Sequence, residues 1–221
     1  MKVLICAYRD WAKEISHKIS NNKNIIIVGN ISNQKGLVKK LKNGLDVDII
    51  LFIGWSWIIS DEITDNYLCI GIHPSDLPHY RGGSPIQNQI IDGVDKSKVT
   101  LFTLSSKLDS GDIWCKEDIN LSGNNMNAIF KNIIDSSVTL LENFFKKYPN
   151  IEPITQKTGV GSYFRRRTPI QSKLVKQDLQ NMNTLELYNF IRCLTTPYPN
   201  AYFEDDNGNR VFFEEISFSK K

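Results

Sequence analysis

"DIILFIGWSWIISDEITDNYLCIGIHP", residues 48–74, decides the fold. It holds two continuous apolar runs, Asp48–Gly54 and Tyr67–Ile72, around a short polar helix near Ser60–Asn66. Neither run alternates. A strand that is apolar at every position is covered on both faces, as in a parallel sheet flanked by helices. Working outward, the same reading makes strands of Lys2–Cys6 and Asn24–Gly29, and helices of Asp10–Ser20, with Asp10 as its cap, and Asn33–Lys42. Downstream, Ser84–Asp92 reads as a helix with Pro85 in its first turn, where proline is favoured. Lys98–Leu104 and Asp112–Leu121 read as strands joined by the hairpin-like "SSKLDSG", and a long helix spans Asn125–Lys147. Beyond Pro149 the chain is more polar: a helix at Met182–Leu194, then a hairpin turning at "DDNGN".

The expected class is therefore α/β, with a Rossmann-like, mostly parallel twisted sheet, helices on both faces, and a small C-terminal helix and β-hairpin appendage. Composition shifts at Pro149, so residues 1–149 form the expected main domain and residues 150–221 the appendage. With 221 residues, 41% of them hydrophobic, the chain can bury a sizeable core. A formal net charge of +3 is too small to argue for nucleic acid. Cys6, Cys69, Cys115 and Cys193 are scattered, which argues against a disulfide framework and against a metal site. No apolar run is long enough to span a bilayer or form a signal-peptide core. A cytoplasmic protein with no membrane partner, no nucleic-acid partner and no metal is expected.

In open α/β sheets, ligands sit at the carboxyl ends of strands. His73 follows the run Tyr67–Ile72 within a loop rich in turn residues, "GIHPSDLPHYRGGSP" (71–85), and Asp109 lies in the turn after Leu104. If those two strands are neighbours, the imidazole and the carboxylate rise together at one sheet edge, able to take a proton and hold the charge. An isolated histidine and aspartate in two loops fit this spacing as well.

The loop carries more than spacing. "IHPSDLPHYRGGSPIQNQIIDG" followed by "VTLFTLSSKLDSGDIWCKEDI" closely resembles the folate-dependent formyltransferase family, over roughly Met1–Leu121 and more weakly beyond. The resemblance implies an acyl transfer in which a substrate amine attacks the formyl group of N10-formyltetrahydrofolate. It makes His73 the general base or charge stabiliser and Asp109 its orienting partner, near the co-substrate. The family's oxyanion-stabilising asparagine, two residues before the histidine, is here Gly71. Loss of one such donor costs on the order of 100- to 1000-fold in rate. Gln87, Asn88, Ser75 or a backbone N–H are the candidate replacements. "FIGWSWI" falls where the family lines its pterin slot, so Phe52, Gly54, Trp55, Ser56, Trp57 and Ile58 are the expected co-substrate contacts, although two tryptophans one residue apart also suit plain packing. Gly82 and Gly83, beside Arg81 and Ser84, allow a ligand to approach the backbone.

Among the family's branches, "CAYRDW" lacks the glycine-rich phosphate loop of the glycinamide ribonucleotide enzymes, and the residues after Pro149 do not read as the C-terminal barrel of the methionyl-tRNA enzymes. "SYFRRRTP" and "LYNFIRCLTTPYPNAYF" most resemble the appendage of the enzymes that formylate nucleotide-linked amino sugars, usually dTDP-linked. A diphosphate wants arginine or lysine, and Arg9, Arg81, Arg165, Arg166 and Arg167 are available for it; "RRR" as a solvated basic turn is the alternative. A homodimer through the mainly apolar "VFFEEISF" is expected. A binding protein that has lost catalysis at Gly71, and an RNA-directed formyltransferase, remain open at this point.

Overall fold

The structure is a computed structural model and describes residues 1–157 and 159–219. Strands β1 (Lys2–Ala7), β2 (Ile26–Ile31), β3 (Ile49–Ile53) and β4 (Cys69–His73) alternate with helices α1 (Asp10–Lys18), α2 (Gln34–Lys42) and α3 (Asp61–Asn66). A two-residue strand β5 (Arg81–Gly82) and helix α4 (Pro85–Ile91) lead into β6 (Lys96–Thr103), β7 (Ile113–Asn120) and the long α5 (Met126–Lys147). One six-stranded sheet has the order β2-β1-β3-β4-β6-β7. The first four strands are parallel, and β6 and β7 are antiparallel.

The unbroken apolar runs do face two ways. Val3, Ile5, Ile49, Leu51, Ile53, Ile70 and Ile72 pack against α1, α4 and α5. Leu4, Cys6, Ile50, Phe52 and Cys69 pack under Leu37 of α2 and Ile63 of α3. The sequence expectation of a mostly parallel sheet covered on both faces therefore holds. Several boundaries differ by a residue or two, some for local reasons. Asp10 is not the cap of α1; Arg9 holds that position and Asp10 begins the helix, where a negative charge suits the positive helix end. Strand β2 starts two residues late because Asn22–Ile25 close a turn, Ile25 N donating to Asn22 O and Asn24 N to the Asn22 side chain.

After Pro149 the chain forms β8 (Tyr163–Phe164), β9 (Lys173–Leu174), α6 (Lys176–Asn181), α7 (Thr184–Arg192), β10 (Tyr202–Glu204) and β11 (Arg210–Phe212). The expected helix Met182–Leu194 is α7, begun later by Asn183, whose side chain accepts the Leu185 and Glu186 N–H groups while Glu186 caps in return. The β10–β11 hairpin is present, its turn closed on the Asp205 carboxylate by the Asn207 and Asn209 N–H groups. β11 ends at Phe212, so most of "VFFEEISF" is not strand. Leu174, Phe190, Ile191, Cys193, Leu194 and Ala201 belong to the same buried cluster as α5 and the main sheet. Arg192, 2% exposed, ties α7 to the end of β7 by donating to the carbonyls of Leu121 at 2.5 Å and Gly123 at 3.4 Å. Among the described residues no helix is long and apolar enough to cross a membrane, and no group of three or more metal-ligating side chains gathers.

Candidate active site

The strand neighbourhood expected from the sequence is real: β4 pairs with β6. The register places the histidine and aspartate differently, however. β6 runs antiparallel, so Thr103 lies beside Ile70 and His73 beside Thr100. The β6–β7 turn thus leaves from the starting end of β4, away from His73. It reaches the histidine by folding back over the sheet face. Gly71 leaves the space for this. A Cβ there would lie 2.6 Å from Leu104 Cδ1 and 3.4 Å from Phe102 Cε1. The residue that lacks the family's amide is therefore covered by a leucine of the returning turn.

His73, 6% exposed, ends β4. Its Nε2 lies 2.8 Å from the Tyr80 carbonyl. A carbonyl only accepts, so Nε2 carries the hydrogen, and the acceptor of the neutral ring is Nδ1. Nδ1 faces Asp109 Oδ2 at 3.6 Å, longer than a direct hydrogen bond. The same carboxylate oxygen accepts the Gly82 N–H at 2.7 Å. A proton arriving on Nδ1 would sit between the ring and the carboxylate. The loop that supplies these contacts is held by β8. Gly82 (φ +90°) has room for no side chain, because a Cβ would lie 2.3 Å from the Phe164 carbonyl, and one on Gly83 would lie 2.3 Å from Arg166 Cα.

The pair lies in a cleft of about 650 Å³, within the usual range for small-molecule sites. All the expected co-substrate contacts line it: Phe52, Gly54, Trp55, Ser56, Trp57 and Ile58, with Asp109 opposite. Trp55 and Trp57 meet at 4.7 Å between ring centroids and Tyr8 joins them, so they form a wall of the cleft as well as packing. The Trp55 indole N–H is buried without a hydrogen-bond partner. Arg9, Gly82, Gly83 and Ser84 also line the cleft, and Arg9 donates to Ser56.

Five expected residues lie elsewhere. Ser75 is fully buried, and its hydroxyl donates to the His79 carbonyl. Asn88 donates to the Gly83 carbonyl and braces the loop. Gln87, 3% exposed, sits behind Tyr198 and does not line the cleft. None of the three side chains stands where the missing amide would. The Arg81 guanidinium turns away onto Gln156 and the Asp109 carbonyl. Arg165 is exposed, and it is Arg166 and Arg167 that line the cleft.

Sequence reasoning missed Trp11 and Tyr198 as cleft residues, and offered Arg166 and Arg167 only within a basic triplet. Burial pushes the Tyr198 phenol above its ordinary range, with Arg9 and Gln87 acting in the opposite sense, and burial also lowers the Arg167 guanidinium. The Pro-Tyr-Pro signal that carries Tyr198 was visible, but nothing local says that it returns to a loop more than a hundred residues earlier.

Residues 6–132 match the formyl transferase family, and the chain belongs to that family. It is 34% identical to methionyl-tRNA formyltransferase of Rickettsia typhi over 169 residues, covering 74% of this chain and 53% of the relative. The chain thus spans about half the length of that relative. Methionyl-tRNA formyltransferase from Clostridium thermocellum superposes with a TM-score of 0.85 at 30% identity, covering 99% of this chain and 94% of that one. A sugar N-formyltransferase from a Shewanella species superposes with a TM-score of 0.76 at 17% identity, covering 100% and 99%. HypX from Aquifex aeolicus, solved with tetrahydrofolic acid, does so with a TM-score of 0.74 at 18% identity, covering 92% and 36%. The last two likenesses concern the fold.

Proposed function

We propose that the chain moves the formyl group of N10-formyltetrahydrofolate to the primary amine of a nucleotide-linked amino sugar, with dTDP the expected nucleotide. The observation that carries formyl transfer is the His73–Asp109 pair, buried at the base of a cleft walled by Phe52, Trp55 and Trp57. The aromatic wall suits a pterin, and the tetrahydrofolic acid held by HypX supports that choice. In the reaction the amine nitrogen bonds to the formyl carbon, the bond from that carbon to N10 breaks, and one proton passes from amine to N10. His73 Nδ1 accepts the amine's proton, Asp109 stabilises the resulting imidazolium, and the Tyr80 carbonyl keeps the ring in the required tautomer.

Arg9, Arg166 and Arg167 at the cleft favour an acceptor that carries a diphosphate. A second reading, with methionyl-tRNA as the acceptor, is favoured by the identity to the Rickettsia and Clostridium proteins. Incubation with N10-formyltetrahydrofolate and either a panel of dTDP-3-amino and dTDP-4-amino sugars or methionyl-tRNA, read by mass spectrometry, separates the two. The expected outcome is a formylated sugar and unchanged tRNA; formylated methionyl-tRNA alone would replace the first reading by the second. The exposed Val211 and Phe212 of β11 support a homodimer, which light scattering would reveal as twice the chain mass.

A further inference from the structure

Gln156 lies outside the cleft, between α5 and β8, and no step of the proposed reaction uses it. It is 7% exposed. Its side-chain nitrogen donates to the carbonyls of Asp109 at 3.0 Å and Gly111 at 2.8 Å. Its oxygen accepts from Arg81, at 2.5 Å from Nη2 and 3.2 Å from Nε. Carbonyls only accept and a guanidinium only donates, so the amide has one orientation. Arg81 Nε also donates to the Asp109 carbonyl, at 3.1 Å.

These contacts meet on a residue in an uncommon conformation. Asp109 has φ +49°, a left-handed geometry that a side-chain-bearing residue keeps only where its surroundings over-determine it. Arg81 and Gln156 hold its carbonyl, and the N–H of Gly82 holds its carboxylate. A paired bridge between Ile154 and Ile113 fixes the stretch carrying Gln156 to the start of β7.

We infer that Gln156 is a positioning residue: with Arg81 it locks Asp109 in the left-handed turn that presents the carboxylate to His73. The C-terminal half of the chain thereby completes the catalytic pair. Glutamate could not replace it, since an ionised carboxylate has no hydrogen to offer the two carbonyls.

The inference rests on the proposed reaction only where turnover is read; a spectroscopic readout is independent of it. The Gly82 amide, bonded to the Asp109 carboxylate, should resonate downfield in the proton–nitrogen spectrum of the full chain, and Asp109→Ala would mark the other end of its scale. Gln156→Met keeps the volume and removes the polar contacts. It should move the Gly82 amide at least halfway to its Asp109→Ala position. Turnover should fall by about tenfold to a hundredfold, with both KM values within about twofold of the unmodified enzyme. In an Asp109→Ala background Gln156→Met should cost nothing further. A Gly82 amide that stays in place in folded Gln156→Met, or losses that multiply in the double variant, would overturn the inference. If Gln156→Met does not fold, Arg81→Lys gives the same readouts, because one ammonium cannot reproduce the guanidinium fork. If no acceptor is formylated at all, the proposed function fails, and the Gly82 amide still decides this point.

Discussion

His73 and Asp109 differ in how they are held, and the difference predicts how each fails. His73 is fixed by a strand and a backbone carbonyl, so His73→Ala removes the base and leaves the cleft standing; turnover should fall by about 100- to 10,000-fold with folate binding, read by fluorescence quenching of Trp55 and Trp57, retained. Gly71 gives a second prediction. The family's asparagine is absent, and Leu104 lies over the place its side chain would start. The methyl is the far end of a flexible side chain, so Gly71→Asn alone should cost about 1 kcal/mol of stability, measured by urea unfolding. Gly71→Asn with Leu104→Ala should restore an oxyanion donor and raise kcat by about tenfold or more. A double variant slower than the unmodified enzyme would mean another group already does that work. The histidine, the aspartate and the gap at Gly71 were legible in the sequence because they sit in one contiguous motif and one short turn. The stand-ins Gln87, Asn88 and Ser75 were not decidable, since a loop held by side chains from distant segments has no periodicity that says which way a residue points.

Among elements, the strands read most clearly and the two-residue pieces not at all. Strands β1, β3 and β4 announce themselves by burial on both faces, and burial also governs the four cysteines, of which Cys6 lies in β1 and Cys69 in β4. Desolvation pushes the Cys69 and Cys193 thiols up to about 12, Cys115 to about 11 and Cys6 higher still. A raised thiol has almost no thiolate at neutral pH, and the thiolate is the nucleophile. Native protein at pH 8 should therefore take up maleimide slowly, at Cys115 first, while the unfolded chain labels at all positions; peptide mass mapping checks the order, and rapid labelling of Cys69 would contradict the burial of β4. β5 and β8 are too short to carry a pattern, yet their pairing brings the arginines to the cleft. Arg165, Arg166 and Arg167 were all open to a diphosphate from the sequence; the two that line the cleft come just after β8, so the placement of that short strand, and no pattern within the triplet, selects them.

At the scale of the whole molecule, the C-terminal segment shares its core with the sheet and braces the loops that hold His73 and Asp109. Arg192 is the sharpest link. Burial disfavours its charged form, and the Asn189 side chain and the Leu121 carbonyl compensate. Arg192→Met should leave those groups without a donor and cost about 3 kcal/mol, seen as a lower urea midpoint with an unchanged slope. Residues 1–149 expressed alone should lose near-ultraviolet circular dichroism, because Leu174, Phe190, Ile191 and Leu194 leave the core with the missing segment. The proposed role of the His73–Asp109 cleft is to transfer a formyl group to an amine. Its most direct test is the mass of an acceptor incubated with N10-formyltetrahydrofolate, with His73→Ala in parallel. A dTDP-amino sugar should carry one formyl group after incubation with the unmodified protein and none with the variant. Equal product from both would contradict it.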